Sequence, residues 1–384
     1  MKRRIISGIA GAALILLCLA AFYGCVKRQS TVAENGPAFS ELKKLRDITV
    51  RYATQFSASE YEGGYILTHV KTSGDFLIVP DESSVPTGIP DGTVVIKRPE
   101  RIYLAATSAM DFFRALDAID AVRLSGTKAD GWYIEEAKQA MHDGRMLFAG
   151  KYSAPDYELI YSEGCDLAVE STMIYHSPEI KEQLEKLGVP VIVERSSYEN
   201  DPLGRMEWIK FYGLLLGKSE QAERIFDEEA ACAEPLSELP ESGKTVAFFY
   251  ITASGTVNVR KSSDYVPVMI EMAGGKYIFD NIGDESALST VNMTMEAFYD
   301  NAKDADILIY NSTIDNELYE MSELIAKDRL LADFKAVKSG DVWCTGKDLF
   351  QQPMGLGRMI ADLHIIFTGG NENELSYLHR LGGK

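Results

Sequence analysis

The chain has 384 residues, 57 acidic against 39 basic side chains, a formal charge of −18 and 46% hydrophobic residues. That length exceeds what one core usually sustains, so two compact units are expected, each with enough apolar surface to fold. No cluster of Lys and Arg offers phosphates a footing, which excludes nucleic acid as a partner.

At the start, Lys2, Arg3 and Arg4 precede an apolar run from Ile5 to Tyr23 and a Gly24-Cys25 junction, the layout of a targeting segment. Residues 1–25 resemble a bacterial lipoprotein signal, although Phe22 and Tyr23 depart from its preferred residues. The resemblance implies that Cys25 is lipidated and tethers the remainder to the membrane, outside the cytoplasm. Left uncleaved, the apolar run is long enough to stay as an anchor. Beyond the signal, Cys165, Cys232 and Cys344 are odd in number and widely spaced, which argues against a disulfide framework. His69, His142, His176, His364 and His379 lack ligand spacing, so no metal site built from side chains is expected.

Residues 26–92 read as a polar linker and a small β extension. ITVRYATQF alternates, YILTHV and DFLIVP follow, and Gly63-Gly64 and Ser73-Gly74 supply turns. From 93 to 200 short apolar runs alternate with helical stretches: RIYLAA, SAMDFFRALDAI, MLFAG, DLAVES, HSPEIKEQLEKLG and VPVIVER. This is the rhythm of βαβ units on a mostly parallel sheet. Ser177-Pro178 fits a helix start and Gly188 a helix stop. Residues 201–235 form a long helical connector opened by an Asp201 cap and Pro202; Gly217 and Ser219 leave open whether it is one helix or two. The alternation resumes over 236–384 with KTVAFFYIT, TVNVR, YVPVMIEMAGG, DILIYNS, GDVWCT and GLGRMIADLHIIFTG. The expected fold class is α/β: two Rossmann-like lobes with mostly parallel sheets, joined by a helical connector, with a ligand cleft between them.

One pattern occurs twice. PDYELIYSEGCDLAVES and TMEAFYDNAKDADILIYNS each place a Glu near a helix start and an Asp before a buried strand: Glu158 with Asp166, and Glu296 with Asp306. Together with ERIYLAATSAMDFFRALDAID, LGKSEQAERIFDE and AGGKYIFDN, in this order, they resemble the substrate-binding lipoproteins of ABC importers for iron-siderophore complexes, haem and cobalamin. The likeness spans about residues 94 to 370. It implies a monomeric, non-enzymatic protein that holds a metal chelate between its lobes without a cofactor of its own. It further implies that Glu158 and Glu296, on the outer faces of the lobes, dock onto arginines of an ABC permease dimer. The alternative for each carboxylate is simple complementation of a helix dipole.

Strand-end loops nominate the cleft residues: Trp132, Tyr133, Lys151, Tyr152, Tyr175, Arg195 and Tyr198 in the first lobe, and Arg260, Tyr265, Asn311 and Lys347 in the second. Thr107, Ser108, Ser171, Ser196 and Phe350 lie in the same loops. Aromatic rings beside Arg and Lys suit a large hydrogen-bonding or anionic chelate. Tyr175-His176 is also an axial haem candidate, and the choice among siderophore, haem and corrinoid stays open. An extracytoplasmic enzyme lacks support: neither a Gly-x-Ser-x-Gly elbow nor a His-Glu-x-x-His helix is present, and Ser242-Gly243-Lys244-Thr245 precedes a strand where a phosphate loop would follow one. A tethered sensor or adhesin would have no use for the paired glutamates.

Overall fold

The computed structural model describes residues 36–279, 282 and 289–382; the signal segment and Cys25 lie outside them. Two units are distinguished. The smaller consists of Met1–Glu41 with Glu82–Ile89, and in its described part Ala38 bridges Thr87. The larger, Leu42–Asp81 with Pro90–Lys384, holds three main sheets and a two-stranded ribbon among its described residues.

Strands β1 to β5 (Lys44–Asp47, Phe56–Tyr61, Ile66–Val70, Gly74–Val79, Val94–Lys97) form the extension sheet in sequence order. Pairing is antiparallel except between β4 and β5. Two expectations change here. The alternating ITVRYATQF is not one strand: Ile48 to Gln55 is irregular, and β2 starts only at Phe56. Val94–Lys97, read as the opening of the first lobe, joins the extension through β4 instead.

The first lobe is a parallel sheet of β6 (Ile102–Leu104), β7 (Val122–Ser125), β8 (Leu147–Phe148), β11 (Leu167–Glu170) and β12 (Val191–Val193). The short ribbon β9 and β10 (Gly150–Lys151, Ala154–Pro155) interrupts it. Its order is β12-β11-β6-β7-β8. Side chains alternate across it: Ile102, Leu104, Leu167 and Val169 enter the main core, while Tyr103, Ala168, Val191 and Val193 enter a second cluster. Both faces are covered, which is why these strands read as unbroken apolar runs.

The second lobe contains β13 (Thr245–Ile251), β14 (Val257–Arg260), β15 (Lys276–Tyr277), β16 (Thr290–Met293), β17 (Ile307–Tyr310), β18 (Val342–Thr345) and β19 (Leu378–Arg380). Their order is β16-β14-β13-β17-β18-β19, with β15 also on β13. The central β13, β17 and β18 are parallel, and antiparallel strands flank them.

The connector is two helices, Pro202–Leu216 and Ser219–Ala230. Asp201 caps the first by accepting from Leu203 N at 2.8 Å, and Gly217 ends it at φ 68°, a left-handed conformation that glycine adopts without strain. The two pack tightly, because a Cβ on Gly213 would stand 2.5 Å from that of Ala222. Every residue of Pro202–Leu216 is buried except Arg205. A helix buried all round is a core element, and this one packs Trp208 and Phe211 against Phe56 of the extension.

Two buried carboxylates on this side of the core hold the irregular stretch before β2. Glu207 accepts from the backbone N–H of Arg51, Tyr52 and Ala53 at 2.7 to 2.9 Å and from Lys210 Nζ at 3.0 Å. Glu199 accepts from the N–H of Thr54 and Gln55 and from Trp208 Nε1. These bonds replace a sheet ladder, since buried N–H groups need acceptors wherever they can find them.

Candidate ligand cleft

The strand order of the first lobe reverses between β6 and β11, and ligands in such sheets bind beyond the carboxyl ends of the strands at that reversal. A cavity of about 320 Å³ lies there, between the lobes. Thr107 and Ser108 follow β6, Ser196 and Ser197 follow β12, and Arg260, Asp264, Tyr265 and Phe350 come from the second lobe. Arg205, the residue by which the connector helix leaves its own burial, completes the lining.

The arginines define its electrostatics. Arg205 Nε donates to Glu199 O at 2.9 Å and Nη2 to Ser197 O at 2.5 Å. Its guanidinium lies over the Tyr265 ring, 3.7 Å from the centroid, and that of Arg260 lies 5.9 Å from the same centroid. Arg260 Nη1 is 3.5 Å from Asp264 Oδ2, and Asp264 also caps the Tyr265–Met272 helix through Val266 N. Burial lowers the pKa of Arg205. For Arg260 burial acts in the same direction, but the neighbouring Tyr265 and Asp264 outweigh it and the pKa rises. In a protein of charge −18 the described residues of the lining thus carry two guanidiniums against one carboxylate.

The lobes meet beside it. Gln351, buried, accepts from Tyr133 N at 2.8 Å and donates to Gly131 O at 2.8 Å. Asp111 of the first lobe accepts from Met354 N at 2.9 Å, and Tyr133 packs edge-on against Phe350.

The nominated residues divide. Arg260 and Tyr265 reach the cavity, as do Thr107, Ser108, Ser196 and Phe350 of the same loops, and the remaining nominees go elsewhere. Trp132 is 1% exposed, a core residue donating to Ser125 Oγ. Tyr133 serves the lobe contact. Tyr175 Oη bonds Thr72, and Arg195 donates to Gln55 and Thr72 while covering Tyr198 at 4.3 Å. Tyr175 and Arg195 are engaged by the tip of the β3–β4 hairpin, where Thr72 adopts φ 61° and Ser73 accepts from Val193 N on the edge strand β12, and Tyr198 is engaged by Arg195. The hairpin therefore takes the place expected for ligand and removes Tyr175 as an axial group. Lys151 and Tyr152 sit on the β9–β10 ribbon, away from the cavity lining. Asn311 is buried, accepting from Thr313 N and Oγ1, and Lys347 Nζ reaches Asn316 at 3.4 Å. Arg205 was missed: sequence periodicity places it inside a helix, and its signal is that it is the lone outlier in burial.

The repeated motif resolves into two functions. Asp166 accepts from Glu100 N and Arg101 N just before β6, and Asp306 accepts from Thr245 N at the start of β13. Each aspartate ties its own strand to the central strand of its lobe. Lys335 adds an ion pair to Asp306; burial raises its pKa, but the hydrogen bonds from Lys335 and Thr245 outweigh this and lower it from 3.8 to about 2. Glu158 and Glu296 are exposed, each the second residue of a helix capped by Asp156 or Thr294, and neither forms an ion pair among the described residues. Asp156 N bonds Ala149 O, whose own N–H bonds Ser125 at the end of β7; Met293 pairs with Val257, opposite Ile251 at the end of β13. Both glutamates lie at the strand ends where the cavity opens.

Other titratable groups fit structural roles. Burial pushes the thiols of Cys165 and Cys344 up to about 11, as inert small hydrophobes. Glu170, the last residue of β11, is fully buried, and neither carboxyl oxygen has a hydrogen-bond partner among the described residues. Burial pushes its pKa from 4.5 up to about 8. The folded state thus keeps a proton that the unfolded chain releases, and stability present below pH 4.5 is lost as pH rises through 8. Glu170→Gln is expected to unfold at higher temperature than the parent, with an advantage that grows between pH 5 and 8 to roughly 2–4 kcal/mol. Thermal melts across that range check it; a constant difference would show that Glu170 is not the titrating group.

No family model matches the chain. An uncharacterized lipoprotein of Methanocaldococcus jannaschii is 24% identical over 393 residues, covering 91% of this chain and 89% of the relative. Among solved structures, the periplasmic haem-binding protein HutB of Vibrio cholerae superposes with a TM-score of 0.55 at 15% identity, covering 68% of this chain and 98% of its own. The TroA-like periplasmic binding protein FepB of Veillonella parvula gives 0.55 at 14%, covering 74% and 96%. The chain has the two-lobed fold of these periplasmic binding proteins. A second cavity, of about 330 Å³, lies between the extension sheet and the connector. Its cations are paired, Arg46 with Glu60, Arg98 with Asp81 and Lys210 with Glu207. It therefore offers no unpaired cation among the described residues. No helix among the described residues is long and apolar enough to cross a membrane.

Proposed function

We propose that this protein is the extracytoplasmic substrate-binding component of an ABC importer, anchored at Cys25, which captures a metal chelate between its lobes and delivers it to the permease. The observation that carries the reading is the arginine-bearing cavity between the lobes, at the strand ends where the first sheet reverses order. A binding role agrees with the two-lobed fold shared with these periplasmic binding proteins. The iron of a cargo would arrive already coordinated.

Glu158 and Glu296 support the delivery step. Two exposed carboxylates on rigid helix starts, at the mouth end of each lobe, can be read by arginines of a two-fold permease through charge-assisted hydrogen bonds. The test is uptake by the cognate permease in proteoliposomes, with ferric citrate, a ferric catecholate, haemin and cobalamin as probes. Addition of this protein should raise both transport and ATP hydrolysis for one of them. Stimulation by none would overturn the reading.

A further inference from the structure

We infer that the cargo is a compact polyoxyanionic chelate, of the ferric hydroxycarboxylate kind, clamped by Arg205 of the connector and Arg260 of the second lobe. This rests on the proposed capture role and narrows it. Three observations lead to the class.

The first is the pair of guanidiniums. Both lie over the single Tyr265 ring, so they share one small space and face one ligand. Arg205 spends Nε and Nη2 on backbone carbonyls, which fixes the plane of its fork, and Nη1 has no partner among the described residues. Among the described residues Arg260 has one counter-charge, Asp264, at 3.5 Å. A fork held in place with unspent donors matches carboxylate or phosphate oxygens, whereas a neutral ligand would leave positive charge buried and unanswered.

The second is size. A cavity of about 320 Å³ stands at the small end of the roughly 300–1,000 Å³ range of ligand sites. Gln351 and Asp111 bond directly across the lobes and hold them close beside the cavity. The third is the remaining lining. Thr107, Ser108, Ser196 and Ser197 supply hydroxyls suited to further oxygens. Among the described residues no histidine lines the cavity, so no axial imidazole is offered to a porphyrin, and the Tyr265 ring is already covered by a guanidinium.

Calorimetric titration of the full chain in detergent, using ferric citrate, haemin and a neutral ferric trihydroxamate, tests this. Ferric citrate should bind with 1:1 stoichiometry and lose affinity steeply with added salt. Arg260→Gln should weaken it at least 10-fold, and Arg205→Lys, which keeps charge but loses the fork, about 10-fold. Circular dichroism melts of each variant establish that the fold persists, and Arg260→Gln, whose side chain leaves the connector intact, decides the matter if Arg205→Lys does not fold. Tight binding of haemin or the trihydroxamate, unaffected by Arg260→Gln, would overturn the polyanion class while leaving a chelate-binding protein. Binding of none of the three would overturn the capture reading as well.

Discussion

Reversing both docking carboxylates, Glu158→Arg with Glu296→Arg, is expected to reduce permease-dependent uptake to background while chelate affinity of the purified protein changes by less than about twofold. Both side chains are exposed and lie on helices whose caps, Asp156 and Thr294, remain intact. The fold therefore loses only a favourable interaction between acid and helix start, worth about 0.3–1 kcal/mol each. The interface loses much more, because each substitution sets arginine against arginine, and like-charge juxtaposition at an interface costs several kcal/mol. The single reversals should each give intermediate uptake, since the lobes dock as a pair. Uptake measured beside a binding titration separates the outcomes: loss of both would mean that the glutamates serve the cleft, and loss of neither would remove them from docking.

Removing the Glu207 carboxylate is expected to have the largest effect on stability. Glu207→Ala strands the N–H groups of Arg51, Tyr52 and Ala53 and leaves Lys210, 6% exposed, with only the Thr49 carbonyl at 3.2 Å and the distant Glu223 carboxylate at 4.0 Å to answer its charge. Breaking a buried charged pair costs about 3–5 kcal/mol, a large share of the stability of most proteins. Adding Lys210→Met should restore part of the loss by withdrawing the stranded charge, although the backbone donors stay unsatisfied. Denaturant unfolding of the single and double variants checks this. The consequence reaches function, because the helix that Glu207 holds against the extension also carries Arg205.

Much of the architecture is legible in the sequence for a simple physical reason. Strands covered on both faces, such as Leu167–Glu170 and Ile307–Tyr310, are short apolar runs, and helix ends carry their own chemistry at Asp201 and Gly217. The site is less legible because it depends on contacts between distant segments. Arg195 directly follows an apolar strand and so looks like a cleft residue, but a hairpin tip more than a hundred residues earlier supplies Thr72 to receive it. Trp132 has the aromatic character of a binding wall, yet its indole finds Ser125 inside the lobe. Ile48 to Gln55 alternates like a strand, but its donors are consumed by Glu199 and Glu207. Conversely, Arg205 sits in a run of helix formers with nothing local to distinguish it. The twin motif was visible, but its division of labour was not: only tertiary structure shows the aspartates bonding central strands while the glutamates stay free.

The central claim, that cargo is held between the lobes by Arg205 and Arg260, is tested most directly by hydrogen–deuterium exchange of the full chain with and without saturating ferric citrate. The account predicts slowed exchange in the segments around Thr107–Ser108, Ser196–Arg205, Arg260–Tyr265 and Leu349–Met354. Protection confined to the rear cavity, around Ile66, Ile78 and Leu214–Gly217, or no protection despite measured binding, would contradict it.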